Sequence, residues 1–264
     1  MNLAGVLGFP VAHSRSPAMM NAAFRVLSLD WRYVKLPVPP ALAGEAMRAL
    51  PGSGYVGANV TIPHKVAAHD LADELTPAAA AIGAANTLSF DDGRVEADNT
   101  DAGGFLDALE ERPAGKRALV LGAGGAARAV VWALRESGAA EVSVWNRTPE
   151  RAGALAADLG ARHVERPEQA DLLVNATSVG LEPGTAEEAA LAALALVGID
   201  PPDTVVDLVY GAEETPLSRW AKRSGARVVE GLEVLVRQGA RSLERWTGRV
   251  APLEVMRAAA RAAT

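Results

Sequence analysis

The segment Asn59–Lys65 contains polar side chains that a purely structural role explains poorly. Alternation along a predicted strand puts Asn59 and Thr61 on one face, and Lys65 follows in the first turn of a helix that Pro63 opens. A lysine in that turn opposes the helix macrodipole, so another charge requirement could explain its position. An exposed lysine without a role is the commoner case, and both interpretations stay open on these residues alone.

Two serines follow the first predicted strand. Ser14 and Ser16 lie beside the N-terminus of a predicted helix over 16–27, with Pro17 in its first turn. Two hydroxyls next to free backbone N–H groups form a natural cradle for a carboxylate. Ser16 alone could instead be the N-cap of this helix, which is the usual role of an isolated serine there.

A third polar cluster combines amides with carboxylates. Asn86 and Thr87 begin a predicted hairpin strand, and the run Asp98–Asp101 leads into a segment that contains Gly103 and Gly104. Asp101 can be interpreted as a helix cap or as a catalytic carboxylate.

A glycine-rich loop over residues 122–127 has the spacing of a dinucleotide-binding fingerprint, Gly-x-Gly-x-x-Ala. It follows a predicted strand and opens a predicted helix, which is the context that the fingerprint needs. Gly122 permits the tight turn, Gly124 lets the backbone approach a pyrophosphate, and Ala127 keeps helix and strand close. A glycine-rich turn without a ligand is the alternative, but the complete strand–turn–helix favours a dinucleotide.

The end of the next predicted strand indicates which dinucleotide. Sites specific for NAD place an acidic residue there to hold the ribose 2′-hydroxyl. Here Trp145 is followed by Asn146, Arg147 and Thr148, with Arg151 one turn later. A guanidinium without an acid suits a 2′-phosphate and predicts NADP, although Thr148 could be a helix cap and Arg147 merely solvated.

A second turn is expected to line the cofactor. Residues 175–180, which include Thr177, end a predicted strand at the carboxyl edge of the sheet, where open α/β sheets hold their ligands. A capped turn without a ligand is the plausible alternative.

The elements that must position these residues form two patterns. The first hundred residues alternate strands and helices, and the chain from Ala114 repeats βα units typical of a doubly wound parallel sheet. Two final helices, roughly 232–246 and 252–262, add no strand and are expected to return to the first domain. We therefore predict an α/β fold with a substrate domain over 1–101 plus 240–264 and a Rossmann-like NADP domain over 102–239.

Composition limits the partners. The chain has 264 residues, of which 49% are apolar and 5% aromatic, and its net charge is −6. It lacks the basic balance of a general nucleic-acid binder, and no stretch approaches the roughly 18 apolar residues of a membrane span. With no cysteine and four histidines that lack metal-ligand spacing, no metal site is expected. The N-terminus runs straight into a strand, which predicts a cytoplasmic protein.

Together these motifs resemble the shikimate dehydrogenase family. The motifs occur in the family's order: Gly-x-Pro-x-x-His-Ser-x-Ser-Pro, Asn-Val-Thr-x-Pro-x-Lys, Ala-x-Asn-Thr, Asn-Thr-Asp-x-x-Gly, Gly-Ala-Gly-Gly-Ala and Asn-Arg-Thr. The resemblance extends from Gly8 to Gln238. There are two small departures, because Met20 precedes Asn21 where the family often has histidine, and Leu232 stands where many members carry methionine.

The resemblance implies a role for each matching position. Lys65 and Asp101 are similar to the catalytic pair, and Ser14 and Ser16 to the pair that holds the substrate carboxylate. Further substrate ligands are implied at Asn59, Thr61, Asn86, Tyr210 and Gln238. Cofactor contacts are implied at Gly122, Ala123, Gly124, Gly125, Ala126, Asn146, Arg147, Thr148, Arg151, Thr177, Leu208 and Gly231.

The activity implied is the reversible, NADPH-dependent reduction of 3-dehydroshikimate to shikimate, a step of aromatic amino-acid and chorismate biosynthesis. A quinate/shikimate dehydrogenase that uses NAD is an alternative, against which Arg147 argues. A methylene-tetrahydrofolate dehydrogenase would give the serine cradle no purpose. A non-catalytic ligand sensor is disfavoured by the intact Lys65 and Asp101. A homodimer is one expectation, since dehydrogenases often pair.

Overall fold

A computed structural model describes residues 1–211 and 213–263 of the chain. The chain divides into two compact units. Unit 1 comprises Met1–Gly104 and the chain from Leu235 onward, and unit 2 comprises Phe105–Val234. Each unit is built on its own six-stranded sheet. None of the described helices combines the length and apolarity needed to cross a membrane.

Unit 1 is a mixed α/β structure. Its strands are β1 (Asn2–Gly8), β2 (Trp31–Pro37), β3 (Tyr55–Val60), β4 (Glu74–Leu75), β5 (Thr87–Asp91) and β6 (Arg94–Asp98). Its first helices are α1 (Ser16–Val26), α2 (Ala43–Ala49), α3 (Lys65–Leu71) and α4 (Pro77–Ile82), with short 3₁₀ turns at Pro40–Leu42 and Pro51–Ser53. Helix α5 (Thr100–Leu109) crosses from unit 1 into unit 2.

The sheet of unit 1 has the strand order β2-β1-β3-β5-β6-β4. Strands β1, β2 and β3 run parallel, while β5 and β6 form an antiparallel hairpin next to β3. Parallel neighbours end at the same edge of a sheet. The loops that follow β1 and β3 therefore lie side by side, and Phe9 N–H donates to the Ile62 carbonyl across them at 3.0 Å.

Unit 2 consists of repeated βα units. Its strands are β7 (Arg117–Leu121), β8 (Glu141–Trp145), β9 (Arg162–His163), β10 (Leu172–Asn175), β11 (Thr204–Asp207) and β12 (Arg227–Glu230). Its helices are α6 (Gly125–Glu136), α7 (Pro149–Leu159), α8 (Glu187–Ala193) and α9 (Pro216–Arg223). The sheet order is β12-β11-β10-β7-β8-β9, and every paired strand is parallel. This is the order of a Rossmann sheet, whose switch point falls between β7 and β10.

The last two helices belong largely to unit 1, as predicted. Helix α10 (Gly231–Thr247) starts in unit 2 and continues into unit 1, and α11 (Leu253–Ala262) packs on α1. Trp246 fixes α10 to the first sheet, because its indole N–H donates to the Leu88 carbonyl at 3.0 Å and its ring lies 6.3 Å from that of Tyr33. The predicted fold class is confirmed.

Some local predictions are wrong. Helix α1 has Arg15 at its N-cap with no side-chain cap bond, so Ser16 is the first helical residue and not the cap. Helix α3 begins at Lys65, not Pro63, because residues 61–64 form a turn in which His64 N–H donates to the Thr61 carbonyl at 2.9 Å. The short β4 and α4 were not predicted, since two and six residues carry too little periodicity to detect.

The absence of a side chain at Gly57 lets Trp246 of α10 pack closely on the sheet. A Cβ at Gly57 would lie 2.4 Å from Trp246 Nε1 and 2.7 Å from the Leu88 carbonyl oxygen. Backbone cannot yield cheaply, so we expect Gly57→Ala to lower the free energy of unfolding by about 1–3 kcal/mol in urea titrations. The matched control is Gly52→Ala, where a Cβ meets nothing within 4 Å. Equal stability of the two variants would contradict this packing.

Candidate active site

A half-buried ion pair joins two helix N-termini of unit 1. Lys65 is the first residue of α3 and Asp101 the second residue of α5. Lys65 Nζ donates to Asp101 Oδ2 at 2.5 Å, and the two side chains are 12% and 16% exposed. The pair is therefore shielded from bulk water yet open to a small molecule.

Asp101 does not cap its helix. The Asn99 carboxamide oxygen accepts from the backbone N–H groups of Asp101 at 3.1 Å and Ala102 at 3.3 Å. Asn99 is itself anchored, because its Nδ2 donates to the Ala84 carbonyl at 2.8 Å. Of the two interpretations of Asp101, the capping role is thus taken by Asn99, and the Asp101 carboxylate is left for Lys65 and its neighbours.

Asn86 connects the ion pair to the C-terminal helices. Its Nδ2 donates to Asp101 Oδ1 at 2.8 Å and to Gln238 Oε1 at 3.1 Å. Its Oδ1 accepts from Thr100 N–H at 2.7 Å, so the orientation of the amide is determined by its partners. Gln238 Nε2 donates to the Leu235 carbonyl at 2.8 Å. The structure therefore brings Lys65, Asp101, Asn86 and Gln238 together.

Asn59 lies beneath these residues in a buried cluster. Its Nδ2 donates to Ser242 Oγ at 2.8 Å, and its Oδ1 accepts from the Tyr33 hydroxyl at 2.8 Å. Thr87 and Thr100 hydroxyls complete the cluster around Ser242, at 2.9 and 3.2 Å. Both polar atoms of Asn59 thus have partners within the protein, and its predicted contact with substrate stays a prediction.

Several members of this cluster were not singled out from the sequence. Tyr33 and Ser242 have no recognisable motif of their own, and Thr100 belongs to the Asn-Thr-Asp motif but was assigned no role. Ser242 follows Gln238 by four residues on α10 and so lies on the same helix face. That spacing is the one signal that could have pointed to it.

The serine cradle and Thr61 also lie in unit 1. Ser14 Oγ accepts from Ser16 N–H at 3.3 Å, and Ser16, 4% exposed, is left without a capping role. A Cβ at Gly8 would lie 2.3 Å from Thr61 Cγ2, so glycine lets the two loops approach closely. Ser14 and Ser16 follow β1 and Thr61 follows β3, and these two strands are parallel neighbours in the sheet. The serine cradle and Thr61 therefore lie at the same edge of the sheet.

Lys35 of β2 brings a positive charge to the same loop. Lys35 Nζ donates to the Ala12 carbonyl. Partial burial, and then the nearby Lys35 ammonium, lower the pKa of His13. An anionic group is favoured beside a lysine in this environment.

The glycine-rich loop of unit 2 has the geometry of a phosphate site. Gly122 has φ of +114°, and a Cβ there would lie 2.8 Å from the Ala176 carbonyl oxygen. Gly124 is the N-cap of α6 and makes no side-chain cap bond, and a Cβ at Gly124 would meet nothing within 4 Å. The helix N-terminus that contains Gly125 and Ala126 therefore has room for an anion at its N–H groups.

The end of β8 offers cations and no acid. Arg147 and Arg151 are exposed, and within the described chain neither has an ion-pair partner. Thr148 occupies the N-cap of α7 but makes no side-chain cap bond, so its hydroxyl is available. Asn146 Nδ2 holds the turn by donating to the Thr148 carbonyl at 2.9 Å. These residues, with the loop that includes Ala123, fit the phosphorylated ribose of NADP.

The remaining predicted cofactor positions follow β10 and β11. Thr177 N–H and hydroxyl both donate to Asn175 Oδ1, at 3.1 and 2.7 Å. Gly231 approaches the Leu208 carbonyl, since a Cβ there would lie 2.5 Å from that oxygen. Tyr210 is half-buried in unit 2, and its predicted contact with substrate stays a prediction.

Asp207 is a buried carboxylate at the end of β11. It is 1% exposed, and its hydrogen-bond partners are the uncharged Asn175, Val209 and Thr215. Burial raises its pKa to about 6, and the bonds from Thr215, Val209 and Asn175 oppose that rise. Desolvation therefore outweighs three donors.

Comparisons with known proteins agree with this arrangement. Residues 6–88 match the family "Shikimate dehydrogenase substrate binding domain", residues 107–181 match "Shikimate / quinate 5-dehydrogenase", and residues 231–261 match "Shikimate 5'-dehydrogenase C-terminal domain". The chain is 43% identical over 270 residues to a shikimate dehydrogenase (NADP(+)) of Methanothermobacter thermautotrophicus, covering 97% of this chain and 94% of the relative.

Two solved structures are similar to this chain over nearly its whole length. The shikimate 5-dehydrogenase of Thermus thermophilus in complex with NADP(H) and shikimate is 42% identical, with a TM-score of 0.86 and coverage of 100% of both chains. A 5-ketofructose reductase of Gluconobacter is 32% identical, with a TM-score of 0.82 over 98% of this chain and 97% of that one.

The fold and the two sites define an oxidoreductase that uses a dinucleotide cofactor. The identity over nearly the whole length of the relatives then places it more closely. The chain belongs to the shikimate dehydrogenase family.

Asp207 gives the stability of the protein a defined pH dependence. Its folded-state pKa of about 6 exceeds the ordinary 3.8, so the folded chain binds this proton more tightly than the unfolded chain does. The stability gained by protonation is therefore lost as the pH rises through about 6.

An Asp207→Asn variant lacks this titration. We expect the difference in stability between the variant and the parent to shift in favour of the variant by about 2 kcal/mol between about pH 4.5 and pH 7.5, measured by urea unfolding at each pH. A difference between the two proteins that stays constant with pH would contradict this account of Asp207.

Proposed function

We propose that this protein catalyses the reversible reduction of 3-dehydroshikimate to shikimate with NADPH. The observation that carries the proposal is the Lys65–Asp101 pair, 2.5 Å apart and backed by the Asn86 amide. A ketone that accepts a hydride becomes an alkoxide, and an ammonium group at that oxygen stabilises the developing charge. Relatives named shikimate dehydrogenase (NADP(+)) support the substrate and the cofactor.

The substrate carboxylate is assigned to Ser14 and Ser16. Both hydroxyls stand at the start of α1, where backbone N–H groups also favour an anion, and Lys35 adds positive charge to the loop. The ring hydroxyls are assigned to Thr61, Asn86 and Gln238, and Tyr210 is assigned a contact from unit 2. Asn59 supports this group from below.

When bound, NADPH supplies a hydride to the carbonyl carbon. Its pyrophosphate is assigned to Gly122–Ala126 and its 2′-phosphate to Arg147, with Asn146, Thr148 and Arg151 around it. Thr177, Leu208 and Gly231 are assigned to the nicotinamide half. Lys65 stabilises the alkoxide oxygen and gives it a proton. Asp101 keeps the Lys65 ammonium oriented and forms no covalent bond with the substrate.

The alternatives make different use of the same residues. A quinate/shikimate dehydrogenase working with NAD would not need Arg147, and a sensor would bind shikimate without turnover. A single assay separates them: the absorbance of the reduced nicotinamide is followed with shikimate or quinate as substrate, and with NADP⁺ or NAD⁺ as cofactor. We expect the shikimate and NADP⁺ combination to be preferred, and binding without turnover would favour the sensor. The cytoplasmic location and a homodimer remain predictions.

Replacing Lys65 separates catalysis from binding. We expect Lys65→Ala to lower kcat by about 10²- to 10⁴-fold with a modest change in KM, because the variant loses the group that stabilises the alkoxide. Ser14→Ala should chiefly raise the KM for shikimate. Lys116→Ala, at an exposed lysine of unit 2, is the control and should behave as the parent. Near-parental turnover of Lys65→Ala would exclude the proposed role.

Arg147 tests the cofactor assignment. Losing one charge-assisted contact to the 2′-phosphate should weaken NADPH about 10- to 150-fold. Arg147→Ala should leave the KM for NADH almost unchanged, because NADH lacks that phosphate. Arg166→Ala, another exposed arginine of unit 2, serves as the matched control. Equal losses with both cofactors would count against the assignment.

A further inference from the structure

Asp207 holds a buried carboxylate that the proposed reaction does not use. We propose that Asp207 is the positioning residue that aligns the two cofactor-binding turns of unit 2, the one after β10 and the one after β11. The inference rests on the proposed function, because it takes Thr177 and Leu208 as cofactor contacts. Asp207 itself would touch neither cofactor nor substrate.

The first connection runs from Asp207 to Thr177. Asn175 and Asp207 are paired at the ends of β10 and β11, and Asn175 Nδ2 donates to Asp207 Oδ1 at 2.9 Å. Asn175 Oδ1 then accepts from both the N–H and the hydroxyl of Thr177. An amide that turned over would present a donor to two donors. The carboxylate thus dictates which way Asn175 points and thereby holds Thr177.

The second connection runs along β11. Val209 N–H donates to Asp207 Oδ1 at 3.2 Å, and Leu208 N–H donates to the Asn175 carbonyl at 3.0 Å. Gly231 fixes the opposite side, because only a residue without a Cβ can approach the Leu208 carbonyl as it does. Leu208 is therefore held between the Asp207–Asn175 bonds and α10.

The third connection reaches α9. The Thr215 hydroxyl donates to Asp207 Oδ2 at 2.5 Å and accepts from Ser218 N–H at 3.2 Å as the helix cap. One carboxylate thus joins the end of β10, the residue after Leu208 and the start of α9. A neutral acceptor has fewer lone pairs to serve several donors at once, which is a reason for a carboxylate here.

The choice of an acid also argues against a purely structural role. Burying a carboxylate is costly, and uncharged residues of similar volume often stabilise a protein as well or better. No charged side chain is among the described hydrogen-bond partners of Asp207, so the burial is not offset by an ion pair. What the carboxylate adds is the simultaneous orientation of Asn175, Val209 and Thr215.

The test compares three purified full-length variants with the parent. Asp207→Ala removes every acceptor, Asp207→Asn keeps the shape and one oxygen, and Ser143→Ala removes a buried hydroxyl of unit 2 on β8, remote in sequence from both turns. The dissociation constant of NADPH is measured from its fluorescence, and that of shikimate from the shift it produces in thermal unfolding. Circular dichroism checks that each variant is folded.

We expect Asp207→Ala to weaken NADPH binding about 10- to 100-fold, because Thr177 and Leu208 lose the bonds that hold them in place. In metalloproteins, removing the residues that orient the metal ligands lowers affinity by a similar factor. Asp207→Asn keeps one oxygen for Asn175 and Val209 but turns an N–H group toward Thr215, so we expect a smaller loss of about 3- to 10-fold. Ser143→Ala should match the parent whatever its unfolding temperature. Shikimate binding alone should change far less than NADPH binding in all of them, because every assigned contact with shikimate except that of Tyr210 lies in unit 1.

The outcomes are distinct. A folded Asp207→Ala with parental NADPH affinity overturns the proposal, as does a loss that Ser143→Ala shares in proportion to its lost stability. If Asp207→Ala fails to fold, Asn175→Ala replaces it, with the same loss expected and an unchanged affinity again decisive against it. A parent that binds neither NADPH nor shikimate would instead refute the proposed function.

Discussion

The contact between the Lys65 ammonium and the Asp101 carboxylate sets the requirements that the rest of unit 1 meets. An exposed ion pair contributes little to stability, whereas a pair withdrawn from water needs partners for its remaining polar atoms. Asn86 supplies one to Asp101, and Asn99 takes over the capping that Asp101 would otherwise provide. Lys65 and Asp101 each lie in the first turn of a helix that follows a strand after a short loop, α3 after β3 and α5 after β6. The positions of these two strands in the sheet therefore set the distance between the two charges.

In unit 2 the close approach of two backbone segments, and not an ion pair, shapes the predicted cofactor site. Gly122 and Ala176 touch at the switch point between β7 and β10, where the strand order turns and two loops diverge. Apart from Arg117 at the start of β7 and Asn175 at the end of β10, these two strands are apolar, because helices cover both faces of a parallel sheet. What remains at the carboxyl edge is a helix N-terminus and two arginines, which together suit a phosphorylated dinucleotide.

The sequence predicts the architecture well because the glycine-rich loop, the strand periodicity and the turn residues are local signals. The βα repeats and the return of the last helices follow from them. The capping of α1 could not be predicted, because a serine before a proline satisfies the cap pattern whether the helix begins at the serine or at the proline. The support around Asn59 could not be predicted either. Ser242 and Tyr33 reach it only through tertiary packing, from segments far apart in the chain.

The amides of the site have a consequence for the lifetime of the molecule. Asn86 lies between a carboxylate and Gln238, and hydrolysis of its side chain to an acid would change one atom and almost no volume. Asp101 would then face a second carboxylate at the position where the Asn86 amide now donates to it, and two such acids cannot both stay ionised easily. Deamidation at this one position would therefore lower activity and stability together, because the new buried carboxylate would face the Asp101 and Gln238 oxygens to which the amide now donates.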